Sequence, residues 1–382
     1  MTDVWTLAEV VAAVERRFDP KVAEKWDRVG LVCGDPHQPV TSVMFAVDPL
    51  RPVVDEAIES GAQLLVTHHP LLLAPVHGVP ATTAKGKIVH DLIRAGCGLL
   101  TVHTNADVAT DGVSDAIADA IGLVSRRPIR PIPDRSMVKI VVNVLPDNAE
   151  AVIDAMADAG AGRIGDYDRC AYWVDGAGQF RPLPGAVPHV GSVGQTALVL
   201  ERKVEMVAHA DLVPAVVESL REAHSYEEPA FDVIDLVDLP GGRGLGRVGT
   251  LESAMTVTDL ARRLSAALPL TAHGVRVAGD PDAEVRTVAV CGGAGDSLLG
   301  EVRRINADAY VTGDLRHHPV TEHLADGGCP VVDISHWAGE WLWLRHAADF
   351  LHVQAASGGV NLECRVSDIV TDPWTLHVGS TV

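Results

Sequence analysis

The feature that most constrains the fold is an apolar run that ends abruptly in two histidines and a proline. Residues 63–67 are mostly apolar and lead directly into His68, His69 and Pro70. Such a run predicts a buried parallel strand, and a proline ends it because it has no N–H for the ladder. The histidines are therefore expected at the carboxyl edge of a sheet, where open α/β sheets bind their ligands.

The histidine pair leaves three interpretations open, because adjacent side chains on a regular strand point to opposite faces. The backbone leaves strand geometry and both imidazoles serve one site, or each imidazole serves one of two neighbouring ions. A turn that happens to contain two imidazoles is the simplest alternative. The pattern recurs, however: residues 309–312 are a second apolar run that leads to His317, His318 and Pro319. This recurrence favours a functional role.

Composition excludes several classes of protein. A chain of 382 residues is too long for one ordinary core, so two or three domains are expected. The 31 basic and 51 acidic residues give a net charge of −20, which disfavours general binding to nucleic acid or anionic membranes. No stretch approaches the length of a transmembrane helix, and residues 1–5 lack the start of a signal peptide. We therefore expect a cytoplasmic protein.

The six cysteines are scattered, and no two of them form a Cys-x-x-Cys pair. This spacing is typical of reduced, buried thiols, not of a disulfide framework or a thiolate zinc site. Any bound metal would therefore be held by His, Asp and Glu side chains.

Strands and helices alternate in both flanks of the chain, which predicts an α/β fold with parallel sheets covered by helices. We predict strands at residues 43–47, 63–67, 99–102, 285–291, 309–312 and 330–334. Helices are predicted at residues 7–14, 52–60, 84–95, 113–121, 257–267, 298–305 and 338–351. Because histidines follow matching strands, we interpret residues 1–129 and 241–382 as two similar α/β halves that face one another across a cleft.

Three stretches rich in glycine or proline are predicted to be irregular. Gly30 and Gly34 indicate a loop, and residues 130–133 a linker. Residues 292–295 (Gly-Gly-Ala-Gly) could cradle a phosphate before a helix, but they lack the Lys-Ser/Thr ending of a P-loop, so an ordinary turn is favoured.

Residues 130–240 follow a different pattern. We predict strands at residues 137–144, 167–174, 196–207 and 231–237, with helices at residues 149–159 and 210–223. The order β-α-β-β-α-β is the ferredoxin-like one. We therefore predict an inserted ferredoxin-like domain.

Three clusters in the flanks could carry chemistry: His68 with His69, His103 with Asp107, and His336 with Glu340. Residues four apart share one face of a helix, provided that a helix begins at His336. The alternative for that pair is a capping histidine and a solvated glutamate.

The segment from His103 to Asp107 is predicted to be a loop, and Asp107 could simply cap the helix that follows. Taken together, the imidazole and carboxylate ligands of the three clusters suit Zn, Fe, Mn, Co or Ni. Two carboxylates can bridge two ions roughly 3.5–4 Å apart.

Five short motifs resemble those of the NIF-three-like family, whose members are often catalogued as GTP cyclohydrolase I type 2 homologues. They are Trp26-Asp27-x-Val29-Gly30-Leu31, Thr67-His68-His69-Pro70, His103-Thr104-Asn105-x-Asp107, Thr312-Gly313-Asp314 and His336-x-x-x-Glu340. Ser335 stands where many members have glycine, and serine caps a helix equally well.

The resemblance implies a single metal-binding core with two divalent ions per chain, of Zn, Fe or Mn. It implies a ligand set of His68, His69, Asp107, His336 and Glu340, with Asp107 and Glu340 as bridges. It further implies a PII/CutA-like insert and a toroidal homohexamer whose metal sites face an internal cavity.

Two functions remain open on the sequence. The first is a dinuclear metal-dependent hydrolase of a small nucleotide-like or other anionic substrate, in which His103 or His318 shuttles protons. The second is a metal-binding regulatory protein or metallochaperone, in which the insert senses or docks and the metals are cargo.

Overall fold

The computed structural model of the chain describes residues 4–133, 137–237 and 240–379. It contains two compact units, one formed by Met1–Ile132 with Gly242–Val382 and the other by Pro133–Gly241. The first unit is thus assembled from both ends of the chain, and the second from its middle. Among the described residues, no helix combines the length and the apolarity that crossing a membrane requires.

The elements before the middle segment alternate as the sequence predicts. They are α1 (Leu7–Arg17), β1 (Gly30–Cys33), β2 (Ser42–Ala46), α2 (Arg51–Glu59), β3 (Leu64–Thr67), α3 (Ala84–Ala95), β4 (Gly98–Thr101), α4 (Thr104–Val108), α5 (Val113–Ala120), β5 (Leu123–Arg127) and β6 (Arg130–Pro133). The middle unit contains β7 (Met137–Val144), α6 (Ala149–Asp158), β8 (Ala171–Phe180), β9 (Ala197–His209), α7 (Val213–Ala223) and β10 (Phe231–Asp235).

The elements that follow are β11 (Pro240–Leu245), β12 (Arg247–Thr256), α8 (Val257–Ala267), β13 (Val275–Ala278), β14 (Glu284–Ala294), α9 (Leu299–Arg304), β15 (Ala309–Gly313), α10 (His317–Ala325), β16 (Val331–Ile334), α11 (His336–Ser357) and β17 (Glu363–Val366). Helix α1 starts at a capping box, in which Thr6 and Glu9 satisfy each other's backbone N–H groups.

The two larger sheets of the first unit share the order of four strands, β1-β4-β3-β2 in one and β13-β16-β15-β14 in the other. The first sheet runs β1-β4-β3-β2-β17 and the second β13-β16-β15-β14-β12-β5, and β6 and β11 form a separate two-stranded sheet. In each large sheet, three strands that are consecutive in the chain lie side by side and parallel, namely β2, β3 and β4 in the first and β14, β15 and β16 in the second. An antiparallel strand pairs with the last of the three: β1 with β4, and β13 with β16. Each sheet also takes one strand from the other end of the chain, namely β17 in the first and β5 in the second.

The parallel strands are buried on both faces, and their alternate residues enter different cores. Val43 and Phe45 of β2 join the large central core, whereas Met44 and Ala46 join an outer core beneath α2 and α3. The second sheet divides in the same way between the central core and an outer core that includes α9. Helices α1, α5, α8 and α11 therefore form a central layer shared by both sheets. The continuous apolar runs of the sequence follow from this burial.

A buried ion pair holds the start of β12, soon after the chain leaves the middle unit. Arg247, at the start of β12, is 2% exposed and binds Asp115 of α5 at 2.9 Å. It also donates hydrogen bonds to the carbonyls of Gly244, Gly246 and Ala109. These acceptors compensate the positive charge of the guanidinium, which would otherwise be costly to bury.

The second unit has the predicted element order and one four-stranded antiparallel sheet, ordered β10-β7-β9-β8. Its helices α6 and α7 bury Val152, Met156, Val216 and Leu220 against the strands in a separate core.

Several local predictions were wrong. Gly30, predicted to lie in a loop, is the first residue of β1, and its positive φ is available to glycine without strain. Residues 130–133, predicted to be a linker, form β6. Residues 292–294 complete β14, so no ordinary turn occurs there. His317 and His318 open helix α10 and do not follow β15 directly. All six cysteines are free thiols; Cys97 and Cys291 are buried as predicted, whereas the other four are only partly buried.

Candidate metal centre

His68 and His69 reach one cluster because the backbone bends after β3. The N–H groups of both residues still bond to the carbonyls of Ala46 and Val47, but the hydroxyl of Thr67 donates to the carbonyl of His69 at 3.0 Å. The two imidazoles then lie on either side of the Glu340 carboxylate. Nε2 of His68 is 3.4 Å from Oε1, and Nε2 of His69 is 3.1 Å from Oε2. Of the open alternatives, the chance turn is therefore disfavoured.

Helix α11 supplies His336 and Glu340, and it begins at His336 as the spacing requires. The cap is Ser335, whose hydroxyl accepts a hydrogen bond from the N–H of Ala338. His336 is therefore not the cap, and Glu340 is not solvated, since only 3% of it is exposed. Oε1 of Glu340 lies 2.9 Å from Nε2 of His336, so this carboxylate contacts imidazoles from both sheets.

Asp107 belongs to a short helix, α4, and His103 is the residue immediately before it, so the predicted loop was wrong. Asp107 caps no helix, because the residue before α5 is Gly112. Oδ1 of Asp107 instead lies 3.7 Å from Nε2 of His68. His103 packs its ring 5.1 Å from that of His68.

Each of the four imidazoles is anchored through Nδ1. The acceptors are the carbonyl of Val102 for His68 at 2.9 Å, Asp48 for His69 at 2.7 Å, Asp27 for His103 at 2.9 Å and Asp314 for His336 at 2.8 Å. A carbonyl or an ionised carboxylate can only accept, so Nδ1 carries the proton and Nε2 faces the cluster. Metal-binding histidines in proteins are oriented in this way.

The residues present fit a divalent ion. Within the described part of the chain, two groups have ligand atoms within 4.8 Å of one another: His68, His69 and His103, and His69, His336 and Glu340. Two buried atoms between them, Nε2 of His68 and Oε2 of Glu340, make no hydrogen bond among the described residues. Leaving such atoms without a partner costs free energy that a cation would recover.

The electrostatics of the cluster favour positive charge. Burial is the largest single influence and opposes protonation of the histidines, but the charge of Glu340 and the hydrogen bonds to Glu340, Asp48 and Asp314 together raise the pKa of His69 to about 10 and of His336 to about 11. The pKa of His68 is raised for the same reason. Conversely, His69, His336 and His68 hold the pKa of Glu340 well below its usual range despite burial. A bound cation would satisfy the same demand for positive charge.

Asp107 and His103 respond differently. Burial raises the pKa of Asp107 to about 6; His68 opposes this rise and Glu340 adds to it. Burial and the charge of His68 lower the pKa of His103, so its imidazole is neutral near pH 7. Its anchor Asp27 stays ionised: burial opposes this, but hydrogen bonds from Thr104 and His103 lower the pKa of that carboxyl.

Two glycines make room for Glu340 and His336. A Cβ on Gly293, whose φ is +65°, would lie 2.7 Å from Oε1 of Glu340. A Cβ on Gly313 would lie 3.1 Å from the Cα of His336. The glycine-rich end of β14 therefore allows the carboxylate to approach.

A cavity of about 320 Å³ opens onto His69 and His336. Its other walls include Asp48, His273, Asp314, Trp337, Asp372 and Trp374. The three aspartates would repel an anionic ligand unless cations neutralised them. Thr371, from the same C-terminal segment as Trp374, donates its hydroxyl to Asp48 and so supports the anchor of His69.

His318 is not among the residues that the structure brings together. It lies exposed in the first turn of α10 with its ring against that of His317. Among the hydrogen bonds, ion pairs and ring contacts of residues 4–133, 137–237 and 240–379, none joins His318 to the cluster. The five predicted ligands and His103 do converge.

Sequence reasoning assigned no role to the three anchoring aspartates. Asp27 and Asp314 stood inside recognised motifs, and Asp48 follows β2 at the same sheet edge as the histidines. A carboxylate at a strand end beside a histidine-bearing strand is a signal that could have identified Asp48.

Comparison with known proteins identifies the family of the chain. Residues 5–373 match the family described as Duf34/NIF3 (NGG1p interacting factor 3). The chain belongs to the Duf34/NIF3 family. The predicted NIF-three-like resemblance is thereby confirmed, and the family match includes every residue of the cluster and the whole middle unit.

Individual Duf34/NIF3 relatives match along nearly their entire length. The Mycobacterium tuberculosis protein named GTP cyclohydrolase 1 type 2 homolog is 49% identical, with 97% of each chain covered. The crystal structure of a Bacillus cereus protein related to NIF3 is 34% identical with a TM-score of 0.79, covering 97% of this chain and 99% of that one. The Staphylococcus aureus protein SA1388 is 27% identical with a TM-score of 0.84, at 98% and 99% coverage. The fold is therefore the mixed α/β fold of NIF3 structures.

Proposed function

We propose that this Duf34/NIF3 chain is a dinuclear metal-dependent hydrolase of a small nucleotide-like or other anionic substrate. One observation carries the proposal: four imidazoles, each anchored through Nδ1, converge with a buried carboxylate that reaches three of them. So many oriented ligands exceed what a single ion of tetrahedral geometry needs.

The proposed ligands would divide between two ions. His69, His336 and Glu340 would hold one ion, and His68, Asp107 and Glu340 would hold the other. Glu340 would be shared, because its two oxygens reach imidazoles of both groups. Asp107, which the resemblance implies as a second bridge, would enter the centre from the His68 side, since its Oδ1 lies 3.7 Å from Nε2 of His68. Zn, Fe and Mn all suit such nitrogen and oxygen ligands.

Divalent ions bound in such sites acidify a water molecule and polarise a substrate oxygen. The chain itself contributes proton transfer and positioning. His103, neutral and held by Asp27, accepts a proton at Nε2. The cavity beside His69 and His336 is the substrate site, and its size suits a small molecule. A nucleotide-like substrate agrees with the names of the mycobacterial relatives.

The middle unit and the assembly are proposed from the strand order and the family resemblance. The order β10-β7-β9-β8, with both helices packed into one core, supports a ferredoxin-like, PII/CutA-like insert. Replacing residues from about 130 to 240 by a short Gly-Ser linker should leave metal binding intact. A folded deletion protein that bound no metal would contradict the assignment of the site to the flanks. We further propose a homohexamer in the cytoplasm.

The hydrolase proposal is tested with protein loaded in turn with Zn²⁺, Mn²⁺ or Fe²⁺. The loaded protein should hydrolyse at least one member of a panel of nucleotides and small phosphate and amide compounds, followed by chromatography. His103→Gln should retain the metal and lose about 100-fold in rate, the usual size of a proton-transfer contribution. His317→Ala, exposed on α10, is the matched control.

The competing function predicts a different result. A metallochaperone would show no turnover with any metal and would pass its ions to an acceptor within minutes. A hydrolase should hold them through turnover. The burial of His68 and Glu340 favours retention.

A further inference from the structure

The middle unit encloses a cavity of its own, of about 370 Å³. It is formed by the end of β8, by the loop of residues 181–194, by β9 and by the segment after α7. The side chains that matter for its chemistry are Phe180, Glu201, Tyr226, Glu227 and Glu228. All of the lining belongs to the middle unit, so this cavity is separate from the metal centre.

The cavity is acidic. Three carboxylates line it, those of Glu201, Glu227 and Glu228, and no Lys or Arg is found among its described lining residues. An anion would meet three carboxylates there, with the imidazole of His189 as the one basic side chain among the described lining residues. A cation would instead gain from the focused field of a concave acidic site.

Two aromatic rings form part of the same wall. The centroids of Phe180 and Tyr226 are 5.9 Å apart, and their planes are tilted by 59°. Both rings line the cavity, and the face of an aromatic ring attracts an organic cation through its quadrupole. A small inorganic ion would need more oxygen ligands and would gain little from the rings.

The acidic and aromatic groups are held in place before any ligand binds. The hydroxyl of Tyr226 donates to Oε1 of Glu201 at 3.0 Å, which leaves Oε2 as an acceptor. The backbone of Tyr226 is fixed by His224, whose Nδ1 accepts its N–H at 3.0 Å and whose Nε2 bonds to the carbonyl of Asn143. Such preorganisation lowers the entropic cost of binding.

Gly178 and the loop of residues 181–194 complete the cavity. A Cβ at Gly178 would lie 2.2 Å from Oε2 of Glu201, so only glycine lets that carboxylate lie across β8. Oε2 of Glu227 accepts the N–H of Val187 at 3.0 Å and so ties the loop to the segment after α7. The loop is closed on itself by a bond from the N–H of Gly194 to the carbonyl of Pro182 at 2.8 Å.

We propose that this cavity binds a small organic ammonium cation, with the charged nitrogen between Glu201 and the rings of Phe180 and Tyr226. The site gives the middle unit a ligand of its own. It does not depend on the proposed hydrolase activity.

The test uses the full-length protein and saturation-transfer NMR, which detects weak ligands of large assemblies. Choline is the probe, and 3,3-dimethylbutan-1-ol is its uncharged isostere. Choline should give a saturable signal, and the isostere should bind about tenfold more weakly or not at all, because it lacks the charge that the rings and Glu201 recognise. n-Butylammonium extends the test to primary amines.

Variants locate the site. Glu201→Gln keeps an acceptor for the hydroxyl of Tyr226 but removes the charge, and it should weaken choline binding about tenfold. Phe180→Leu keeps apolar volume without the ring and should also weaken it severalfold. Glu205→Gln is the matched control, since Glu205 lies on the same strand, is paired with Lys139 and lies outside the cavity.

Three results would overturn the proposal. They are no saturable signal from either cation, equal binding of the uncharged isostere, or unchanged choline affinity in both Glu201→Gln and Phe180→Leu. Near-ultraviolet circular dichroism checks that each variant is folded. If one of the two variants does not fold, the choline affinity of the other decides the test.

Discussion

The two large sheets of the first unit share the order of four strands but contribute differently to the centre. In the first sheet, β3 leads to His68 and His69. At the corresponding place in the second sheet, β15 leads to Asp314, which anchors an imidazole and lies outside the ligand set. The first sheet thus supplies most of the nitrogen ligands, and the second supplies a supporting carboxylate at that position.

The next strand of each sheet shows the real correspondence. After β4 comes His103, with Asp107 four residues later, and after β16 comes His336, with Glu340 four residues later. Both histidines stand at the start of a helix and are anchored by an aspartate. The repeat that marks the site is therefore His-x-x-x-acid, and the repeated His-His-Pro is misleading.

The largest expected effect tests whether Glu340 joins the contributions of the two sheets. Glu340→Gln removes one anion from between the imidazoles while nearly preserving shape. Repulsion between two cations then favours the loss of one, so metal content should fall from about two ions per chain toward one. Elemental analysis measures this, and His317→Ala should keep the full content. Two tightly bound ions in Glu340→Gln would show that Glu340 does not bridge.

The second effect is the pH dependence of metal affinity, to which the two sheets contribute one histidine each. Metal binding must displace protons from His69 and His336, because their raised pKa values, about 10 and about 11, keep them protonated near neutrality. Affinity should therefore rise with pH, roughly tenfold per unit for each displaced proton, and fall further below about pH 6 as Asp107 protonates.

Competition with a chelator between pH 6 and pH 8 measures the slope. His336→Ala removes the second sheet's imidazole, so the slope should drop by about one proton. A dissociation constant that did not change with pH would exclude these histidines as ligands.

A smaller effect is expected from the glycine that lets the second sheet accommodate Glu340. Gly293→Ala places a Cβ against Oε1 of that carboxylate and strains a backbone at φ +65°. We expect metal affinity to fall about tenfold and unfolding free energy to fall by about 1 kcal/mol. Gly300→Ala is the control, because its Cβ meets open space on α9 and alanine favours a helix. Equal behaviour of the two variants would refute the packing role of Gly293.

The smallest effect concerns the second His-His-Pro. His318→Ala, like His317→Ala, should change metal content and any turnover by less than about twofold, because exposed surface positions contribute little. A large loss of turnover in His318→Ala, measured under the same assay as His103→Gln, would restore His318 as the proton shuttle.

The sequence predicted the residues of the cluster better than their local structure. His68, His69, Asp107, His336 and Glu340 converge, as does His103, because strand ends and helix starts are well marked by apolar runs and caps. The loop predicted at residues 103–107 is a single helical turn, α4, which is too short to show a hydrophobic period. The ligand set itself came from the family resemblance, since spacing alone left alternatives open.

Long-range effects explain the remaining errors. Gly293 of β14 is required by Glu340, 47 positions away along the chain. Strand β17 is short and partly exposed, and it forms only because β2 offers an edge. No local pattern could have revealed either, because tertiary packing decides both.

The most direct test of the dinuclear centre is anomalous diffraction from crystals grown with Zn²⁺ or Mn²⁺. We predict two anomalous peaks per chain, roughly 3.5–4 Å apart. One should lie among His69, His336 and Glu340, and the other among His68, Asp107 and Glu340. A single peak, or peaks that avoid Glu340, would contradict the proposed centre.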